Sequence, residues 1–322
     1  MPAAVVRVVR SGLIESVHEV DVVAVDPQGT VVASAGNPKR DMFARSSMKP
    51  LQAAVSLGLA SFEFTDREVA VMCASHNAEA VHVETVRSLL ERIGLRESAL
   101  RCPARRPWDE EAAAVAPEPL PINSDCSGKH AGMLAACVSN GWPTETYLDP
   151  EHPYQQTVLK AVLRASRSSQ VRIGIDGCGA PVHGFRLRDM ATIYGQLSAP
   201  TELEDLESPA RRAVTAMRAE PYMVAGRGRV DTAVMEAAPN VVVKAGAEGL
   251  LCASIIDRQL GVAVRVRDGS SRATGPVLID ALRQLGAIDP ATVDRLEAFA
   301  RPAVLGGGMP VGGVETELSL AP

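Results

Sequence analysis

Residues 20–34 read VDVVAVDPQGTVVAS, in which two short apolar runs flank the polar sequence Asp26-Pro27-Gln28-Gly29. Valine is enriched in strands, and a Pro and a Gly within four residues are typical of a tight turn. We therefore predict strands at residues 20–25 and 31–34 that pair as an antiparallel hairpin. Another valine-rich run, residues 5–9, predicts a strand ahead of this hairpin.

Strand patterns return late in the chain. Residues 241–244, 249–256 and 260–266 are apolar runs separated by short turns, which is typical of an antiparallel meander. Between the two groups the periodicity is helical, with a capping-box pattern at Thr65-Asp66-Arg67-Glu68. This order predicts an α+β fold in which helices flank one antiparallel sheet. A parallel βαβ fold is the alternative, but strands and helices do not alternate regularly enough for it.

The helical part of the chain has no visible linker or internal repeat. We therefore predict one domain over residues 1–322, with a long Pro-rich loop at residues 101–122. The sequence predicts a helix that begins near Ser46, and further helices over about residues 78–93, 129–138, 154–165, 209–218, 275–285 and 290–300.

The composition of the 322 residues is that of an ordinary globular protein, with 46% hydrophobic residues, 22% charged residues and a net charge of -5. Aromatic residues make up only 3% and no basic block is present, which argues against nucleic-acid binding.

No apolar run approaches the roughly 18 residues of a membrane span, and the first residues lack a signal-peptide pattern. We therefore expect a cytoplasmic protein without a membrane partner. In that reducing compartment the six cysteines are expected to be buried thiols or metal ligands rather than disulfides.

Ser46-Ser47-Met48-Lys49 places a serine and a lysine three residues apart at a predicted loop-to-helix boundary. Residues three apart on a helix share a face, so the hydroxyl and the amine would lie side by side. A hydroxyl becomes a good nucleophile only when a neighbouring base removes its proton, which an amine can do. A pattern this short also occurs by chance, and then Ser46 is a helix cap and Lys49 a solvated charge.

Two further short motifs follow in the chain, Ser75-His76-Asn77 and Lys244-Ala245-Gly246. Together with the first motif they form the S-x-x-K, S-x-N and K-x-G order of the active-serine penicillin-binding proteins and β-lactamases. The spacing is not that of the lactamases. The alternative is that Ser75-His76-Asn77 caps a helix and that Lys244 is a solvated charge on a strand.

Cysteines with polar neighbours form a separate constellation, in residues 123–133 and in Asp176-Gly177-Cys178-Gly179. Two thiolates, a carboxylate and a nearby imidazole are ligands that a tetrahedral zinc site uses. No C-x-x-C motif is present, so two buried cysteines without a metal are the alternative.

Taken in order, these motifs resemble the Rhizobium-type L-asparaginase family, which is distinct from the bacterial threonine-dependent and plant-type asparaginases. The resemblance is carried by residues 45–50 (RSSMKP), 73–77 (CASHN), 126–133 (CSGKHAGM), 176–179 (DGCG) and 244–249 (KAGAEG). It implies a fold like the serine β-lactamases and glutaminases, a homodimer, and hydrolysis of L-asparagine to L-aspartate and ammonia. The glycines at residues 306–308 depart from the regular strand expected near the end of the family's sequences.

The resemblance also implies which residues form the site. It implies two Ser-Lys pairs, Ser46 with Lys49 and Ser75 with Lys244. It implies substrate contacts from Arg45, whose two-pronged guanidinium suits a carboxylate, and from His130. The implied zinc ligands are Cys126, Lys129, Asp176 and Cys178. Lysine is an unusual ligand because only its neutral form has a lone pair, so the residues by themselves favour His130.

We therefore expect a serine amidohydrolase in which Ser46 attacks the carboxamide carbon, Lys49 acts as the base, and water releases aspartate from an acyl-enzyme. One alternative is the same chemistry on glutamine or on a β-lactam, the latter disfavoured by the lack of a signal-peptide pattern. Another is a relative that binds zinc or an amino acid without turnover.

Overall fold

Strands occupy both ends of the chain and helices occupy its middle, as the sequence predicts. Residues 4–322 are described by the computed structural model. The strands are β1 (Val5–Arg10), β2 (Leu13–Val25), β3 (Val31–Ala35), β4 (Asp41–Phe43), β5 (Arg172–Ile175), β6 (Pro181–Arg186), β7 (Val241–Gly246), β8 (Leu250–Ile255), β9 (Leu260–Val266), β10 (Ala303–Gly306) and β11 (Met309–Glu317).

The helices begin after β4 with a 3-10 turn at Arg45–Met48. The α-helices are α1 (Lys49–Leu59), α2 (Asp66–Met72), α3 (Ala80–Arg92), α4 (Glu110–Val115), α5 (Ser127–Asn140), α6 (Pro153–Ser166), α7 (Leu187–Ser198), α8 (Glu207–Ala219), α9 (Pro221–Val224), α10 (Val230–Ala237), α11 (Thr274–Gln284), α12 (Pro290–Arg295) and α13 (Glu297–Ala300).

Unit 1 is the sheet-containing unit and comprises Met1–Ser47, Phe185–Ala199 and Ala233–Pro322. Its strands follow the order β10-β11-β1-β2-β9-β8-β7, with β3 pairing with β2. Every neighbouring pair whose register is described is antiparallel. The predicted hairpin and the predicted meander are therefore both confirmed, and so is the α+β class with helices packed on an antiparallel sheet.

Helix α7 covers the centre of this sheet and packs against β2, β8 and β9. The contact is close: a Cβ on Gly261 of β9 would lie 2.0 Å from the carbonyl oxygen of Ala191 in α7. A side chain at this position would force the helix away from the sheet. The strand residues 20–25 beneath the helix are buried on both faces, which explains their nearly continuous valine content.

Unit 2 is mainly helical and comprises Met48–Gly184 and Pro200–Thr232. Helix α1 packs against α5, α6 and α8, while α2 packs against α3, α5 and α8. A Cβ on Gly128 at the start of α5 would lie 2.1 Å from the carbonyl oxygen of Val71 in α2. Glycine at this position therefore lets the first turn of α5 reach the end of α2, where Ser75 follows.

Several elements differ from the sequence prediction. The predicted loop at residues 101–122 contains α4, and the predicted helix at residues 290–300 is divided into α12 and α13. Gly307 and Gly308 occupy left-handed conformations at the turn between β10 and β11, and β11 pairs with β1 over six residues. The C-terminal glycines, which depart from the regular strand expected for the family, therefore form the turn of a β10–β11 hairpin. That one domain covers residues 1–322 stays a prediction.

No helix within residues 4–322 has the length and apolar character that crossing a membrane requires.

The capping box at the start of α2 is the local signal that the structure confirms most directly. The hydroxyl of Thr65 accepts from the backbone N–H of Glu68, and the carboxylate of Glu68 accepts from the N–H of Thr65.

We expect Thr65→Ala to lower the free energy of unfolding by about 1 kcal/mol because the backbone N–H of Glu68 loses its partner. Urea unfolding of Thr65→Ala beside Thr65→Ser, which keeps the hydroxyl, measures this. An equal loss in both variants would contradict the capping explanation.

Candidate active site

The 3-10 turn that carries Ser46 is fixed by its neighbour Ser47 within unit 1. The buried Ser47 hydroxyl donates to the backbone oxygen of Lys244 at 3.1 Å. The Tyr194 hydroxyl of α7 donates to the backbone oxygen of Ser47 at 2.8 Å. A turn held by both the edge strand β7 and the covering helix has little freedom, so Ser46 is carried by a rigid element.

Arg45 and Ser46 are both half-buried at the start of this turn. Arg45 has a φ of 45°, in the left-handed region that a side chain other than glycine rarely adopts. Such a conformation costs about 1–3 kcal/mol and persists only where the surroundings enforce it. The backbone therefore turns sharply just before the predicted nucleophile.

Lys244 lies on the edge strand β7, opposite Cys252 of β8, and its side chain is fully buried. Its amine donates to the backbone oxygen of Ala245 at 2.8 Å. A Cβ on the following Gly246 would lie 2.8 Å from Ser47 Oγ. The interpretation of Lys244 as a solvated strand charge is therefore wrong, because this lysine is inside unit 1 and beside the turn that holds Ser46.

The other predicted lysine, Lys49, is the first residue of α1 and is also fully buried, in unit 2. Its Nζ donates to Ser75 Oγ at 2.9 Å, to the backbone oxygen of Ala74 at 2.6 Å and to that of Asp125 at 3.3 Å. Lys49 is therefore not a solvated helix charge. The amine and the Ser75 hydroxyl form a buried pair between residues 26 positions apart.

The loop at Ser75-His76-Asn77 is held by hydrogen bonds on both sides. The N–H groups of Ser75 and Asn77 donate to the backbone oxygens of Val224 and Ala225, both at 2.9 Å. His76 accepts from the N–H of Ala78 at Nδ1, so its Nε2–H donates to Ser127 Oγ at 2.9 Å. Burial holds the pKa of His76 well below its usual value, so the ring is neutral and acts as a structural donor.

The predicted metal ligands come together in unit 2. Lys129 Nζ lies 3.0 Å from Cys178 Sγ, and Cys178 Sγ lies 3.7 Å from Asp176 Oδ2. Cys126 is hydrogen-bonded to Cys178. All four residues thus converge on Cys178, although the two blocks that contain them are about 50 residues apart in the sequence.

The charges of this cluster follow from its contacts. The hydrogen bond with Cys126 lowers the pKa of Cys178 against the effect of burial, and the same hydrogen bond raises the pKa of Cys126. Burial by itself lowers the pKa of Lys129, but the two sulfurs outweigh this and raise it. The stable arrangement is therefore a Cys178 thiolate between a Cys126 thiol and a Lys129 ammonium.

His130, the predicted substrate contact, is fully buried one residue further along α5. Its Nδ1 lies 2.7 Å from the hydroxyl of Tyr147, and within the described residues its Nε2 has no hydrogen-bond partner. Burial lowers the pKa of His130 to about 3, so the ring is neutral. A buried ring nitrogen without a partner is costly and is a feature that a ligand could satisfy.

Whether the cluster suits a metal depends on its lysine. Within residues 4–322, no three His, Cys, Asp or Glu side chains are arranged to hold a metal ion by themselves. With Lys129 included, the set offers two sulfurs, a nitrogen and a carboxylate, and sulfur, nitrogen and oxygen are the atoms that zinc binds. Tetrahedral zinc bonds would separate sulfur and nitrogen by roughly 3.6 Å, so Lys129 would have to withdraw about half an ångström from Cys178. The residues therefore fit zinc in chemistry and nearly in spacing.

The family model described as L-asparaginase II matches residues 6–316. The chain belongs to the L-asparaginase II family. Membership makes the protein an amidohydrolase, and it agrees with the family that the sequence motifs resemble.

Other comparisons with this L-asparaginase II family member show only general likeness. No curated protein sequence matches it significantly. A β-lactamase from Mycobacterium bovis is 16% identical with a TM-score of 0.44, and the alignment covers 84% of this chain and 95% of that one. A Bacillus glutaminase is 14% identical with a TM-score of 0.39, covering 83% of this chain and 90% of that one. At such scores nothing about this protein's chemistry follows from the likeness.

Sequence reasoning missed three residues that support the site. Tyr194 and Ser47 fix the turn that carries Ser46, and Asp125 contacts Lys49. No local signal marks them, because each acts on a residue far away in the sequence. The pairing of Ser75 with Lys244 stays a prediction, as does that of Ser46 with Lys49.

Gly246 offers a test of the fixed turn in unit 1. In Gly246→Ala the new methyl group would displace Ser47 Oγ and break its bond to Lys244. We expect a loss of stability of roughly 1 kcal/mol and a clear fall in ammonia release from amide substrates. Gly58→Ala in α1 is the matched control, because its Cβ would make only ordinary contacts, with the side chains of Leu206 at 3.4 Å and Pro209 at 3.5 Å. Full activity in Gly246→Ala would show that this turn tolerates movement.

Proposed function

We propose that this protein hydrolyses the side-chain amide of L-asparagine to L-aspartate and ammonia through an acyl-enzyme on Ser46. The observation that carries the proposal is the buried contact of 2.9 Å between Lys49 Nζ and Ser75 Oγ. A buried lysine in contact with a serine hydroxyl is an arrangement that transfers protons during acyl transfer. Family membership supplies the reaction class, and this contact supports a Ser-Lys mechanism for it.

The surroundings of Lys49 fix the direction of its lone pair when the amine is neutral. The backbone oxygens of Ala74 and Asp125 can only accept, so they take the two N–H groups. The remaining direction faces Ser75 Oγ. A neutral Lys49 can therefore accept a proton on the side where the Ser75 hydroxyl lies, and a protonated Lys49 can donate one there.

The proposed reaction uses both serines. Ser46 Oγ attacks the carboxamide carbon, and as the C–O bond forms its proton passes to the Ser75 oxygen, whose own proton passes to Lys49. Lys49 then gives a proton to Ser75, which passes its own proton to the amide nitrogen as the C–N bond breaks and ammonia leaves. Water attacks the resulting ester by the reverse route, which releases aspartate and restores the Ser46 hydroxyl.

Three other predicted residues complete the proposal. Lys244 would pair with Ser75 and stabilise the oxygen through which the proton passes. The guanidinium of Arg45 would bind the α-carboxylate of the substrate. The Nε2 of His130, which has no hydrogen-bond partner among the described residues, would contact the substrate. A homodimer and a cytoplasmic location remain part of the proposal.

Cys126, Lys129, Asp176 and Cys178 would hold zinc. When bound, zinc supplies a positive charge that can polarise a carbonyl oxygen. The Cys178 thiolate and the Lys129 ammonium neutralise each other at 3.0 Å, and zinc binding would require Lys129 to withdraw from Cys178.

Ammonia release separates the proposed substrate from its alternatives. We expect the highest kcat/KM with L-asparagine, a lower value with L-glutamine and none with a β-lactam. Equal rates with glutamine would leave an amidohydrolase of broader specificity, and tight amino-acid binding without ammonia would favour a relative that binds but does not turn over.

Chemical trapping identifies the acylated serine. The enzyme is incubated with a reactive asparagine analogue, quenched in acid, digested, and analysed by mass spectrometry. We expect the adduct on the peptide that carries Ser46, absent in Ser46→Ala and still formed, more slowly, in Ser75→Ala. An adduct on Ser75 would reverse the two roles, and turnover without any adduct would favour direct attack by water.

Zinc binding is expected to depend steeply on pH. The raised pKa values of Cys126 and Lys129 mean that both carry a proton at neutral pH. Both protons must leave before these atoms can bind zinc, so affinity rises with pH by up to about 100-fold per unit. Competition with a chromophoric chelator between about pH 6.5 and pH 7.5 measures this, without reference to activity.

Two lysine variants control the zinc experiment. Lys129→Gln removes one of the two protons, so its affinity should rise by only about tenfold per pH unit. The exposed Lys160 lies on α6, and Lys160→Gln should behave like the unchanged protein. An affinity independent of pH in the unchanged protein would argue against this ligand set.

A further inference from the structure

Asp125 connects the Ser-Lys pair to the thiol cluster within unit 2. Its carboxylate oxygen Oδ2 lies 3.6 Å from Lys49 Nζ on one side and 3.7 Å from Cys126 Sγ on the other. Its backbone oxygen accepts from Lys49 Nζ and from the N–H of His76, both at 3.3 Å. One residue thus contacts the lysine with both its peptide group and its side chain.

From this geometry we propose that Asp125 is a positioning residue for Lys49, a role that rests on the proposed Ser-Lys mechanism. The backbone oxygen aims the amine at Ser75. The carboxylate stabilises the positive charge that develops when Lys49 takes a proton from a serine. Asp125 does not touch the substrate.

Burial makes this negative charge important. Lys49 is fully buried, so water cannot solvate the ammonium that forms during the reaction. The Asp125 side chain is 29% exposed, so its charge remains solvated while its Oδ2 lies 3.6 Å from the buried amine and can stabilise the ammonium. The oxygens of Ala74 and Ser75 that contact Lys49 are neutral dipoles, so the Asp125 carboxylate supplies the countercharge.

The same position explains why this carboxylate stays in place. Cys126 Sγ lies 3.7 Å from Asp125 Oδ2, and the N–H of His76 in the Ser75 loop donates to the backbone oxygen of Asp125. Asp125 also directly precedes the first turn of α5, which Gly128 lets approach α2. Helix packing therefore sets the distance between the carboxylate and the lysine.

Three variants of the full-length protein test this role. Asp125→Asn keeps the size and the backbone contact but removes the charge, and Asp125→Glu keeps the charge. Asp66→Asn is the matched control, because Asp66 forms an ion pair with Arg212 elsewhere in unit 2. Thermal unfolding and zinc content are measured for each variant, so that a folding or ligand defect is recognised.

The readouts are the kinetics with L-asparagine and the rate at which p-nitrophenyl acetate acetylates the active serine. For Asp125→Asn we expect a fall of roughly 100-fold in kcat and in the acetylation rate, with KM changed less than threefold. We expect kcat and the acetylation rate of Asp125→Glu to be at least tenfold higher than those of Asp125→Asn. We expect Asp66→Asn to match the unchanged protein.

The two readouts separate failure of this inference from failure of the proposed function. If the unchanged protein is acetylated but releases no ammonia from asparagine, the proposed substrate is wrong, and the acetylation rates alone decide the role of Asp125. Acetylation of Asp125→Asn at the rate of the unchanged protein or faster would overturn the inference. A loss in Asp125→Asn that Asp125→Glu does not recover would also overturn it, as would an unchanged protein that is not acetylated at all.

Discussion

The burial of the Lys49 amine is the constraint on which the rest of the helical unit depends. An amine without water must find oxygen partners, and it finds them at Ala74, Ser75 and Asp125. These partners follow α2 or precede α5, so the first turn of α1 must lie between those two helices. The close approach at Gly128 allows this. The hydrogen bonds of the Lys49 amine therefore form only when α1, α2 and α5 are packed together.

A chain of charges extends from this amine to the thiol cluster. Asp125 lies between Lys49 and Cys126, and Cys126 shares a hydrogen bond with Cys178, which also contacts Lys129. Each positive group has a negative neighbour, so the buried charges are paired. A change at one end, such as zinc replacing the protons of the cluster, would alter the field at the other end.

Contacts within unit 1 hold the turn that carries Ser46 in place. The Tyr194 side chain reaches from α7 to the turn, and the Ser47 hydroxyl donates to the backbone oxygen of Lys244 in the edge strand.

Helix α7 was not predicted from the sequence, because Thr192, Ile193 and Gly195 within it have low helix propensity. It forms because the apolar surface of β2, β8 and β9 has to be covered, which is a tertiary requirement. Its neighbour β6 was missed for a similar reason, since the glycine in PVHGFR weakens the strand pattern.

The sequence by itself determined the elements whose causes are local. Pro27 and Gly29 set the first hairpin, Thr65 and Glu68 set the start of α2, and valine patterns set the meander, because turns, caps and periodicity act within a few residues. The sequence also determined which chemical groups were available, and family motifs pointed to Ser46, Lys49, Ser75 and the two cysteine blocks. Only the tertiary structure decided that Lys49 contacts Ser75 and Asp125, and that Cys126 and Lys129 both contact Cys178. Such contacts join residues 26 to 76 positions apart, and both they and the pKa values they produce depend on how closely helices pack and how completely they exclude water.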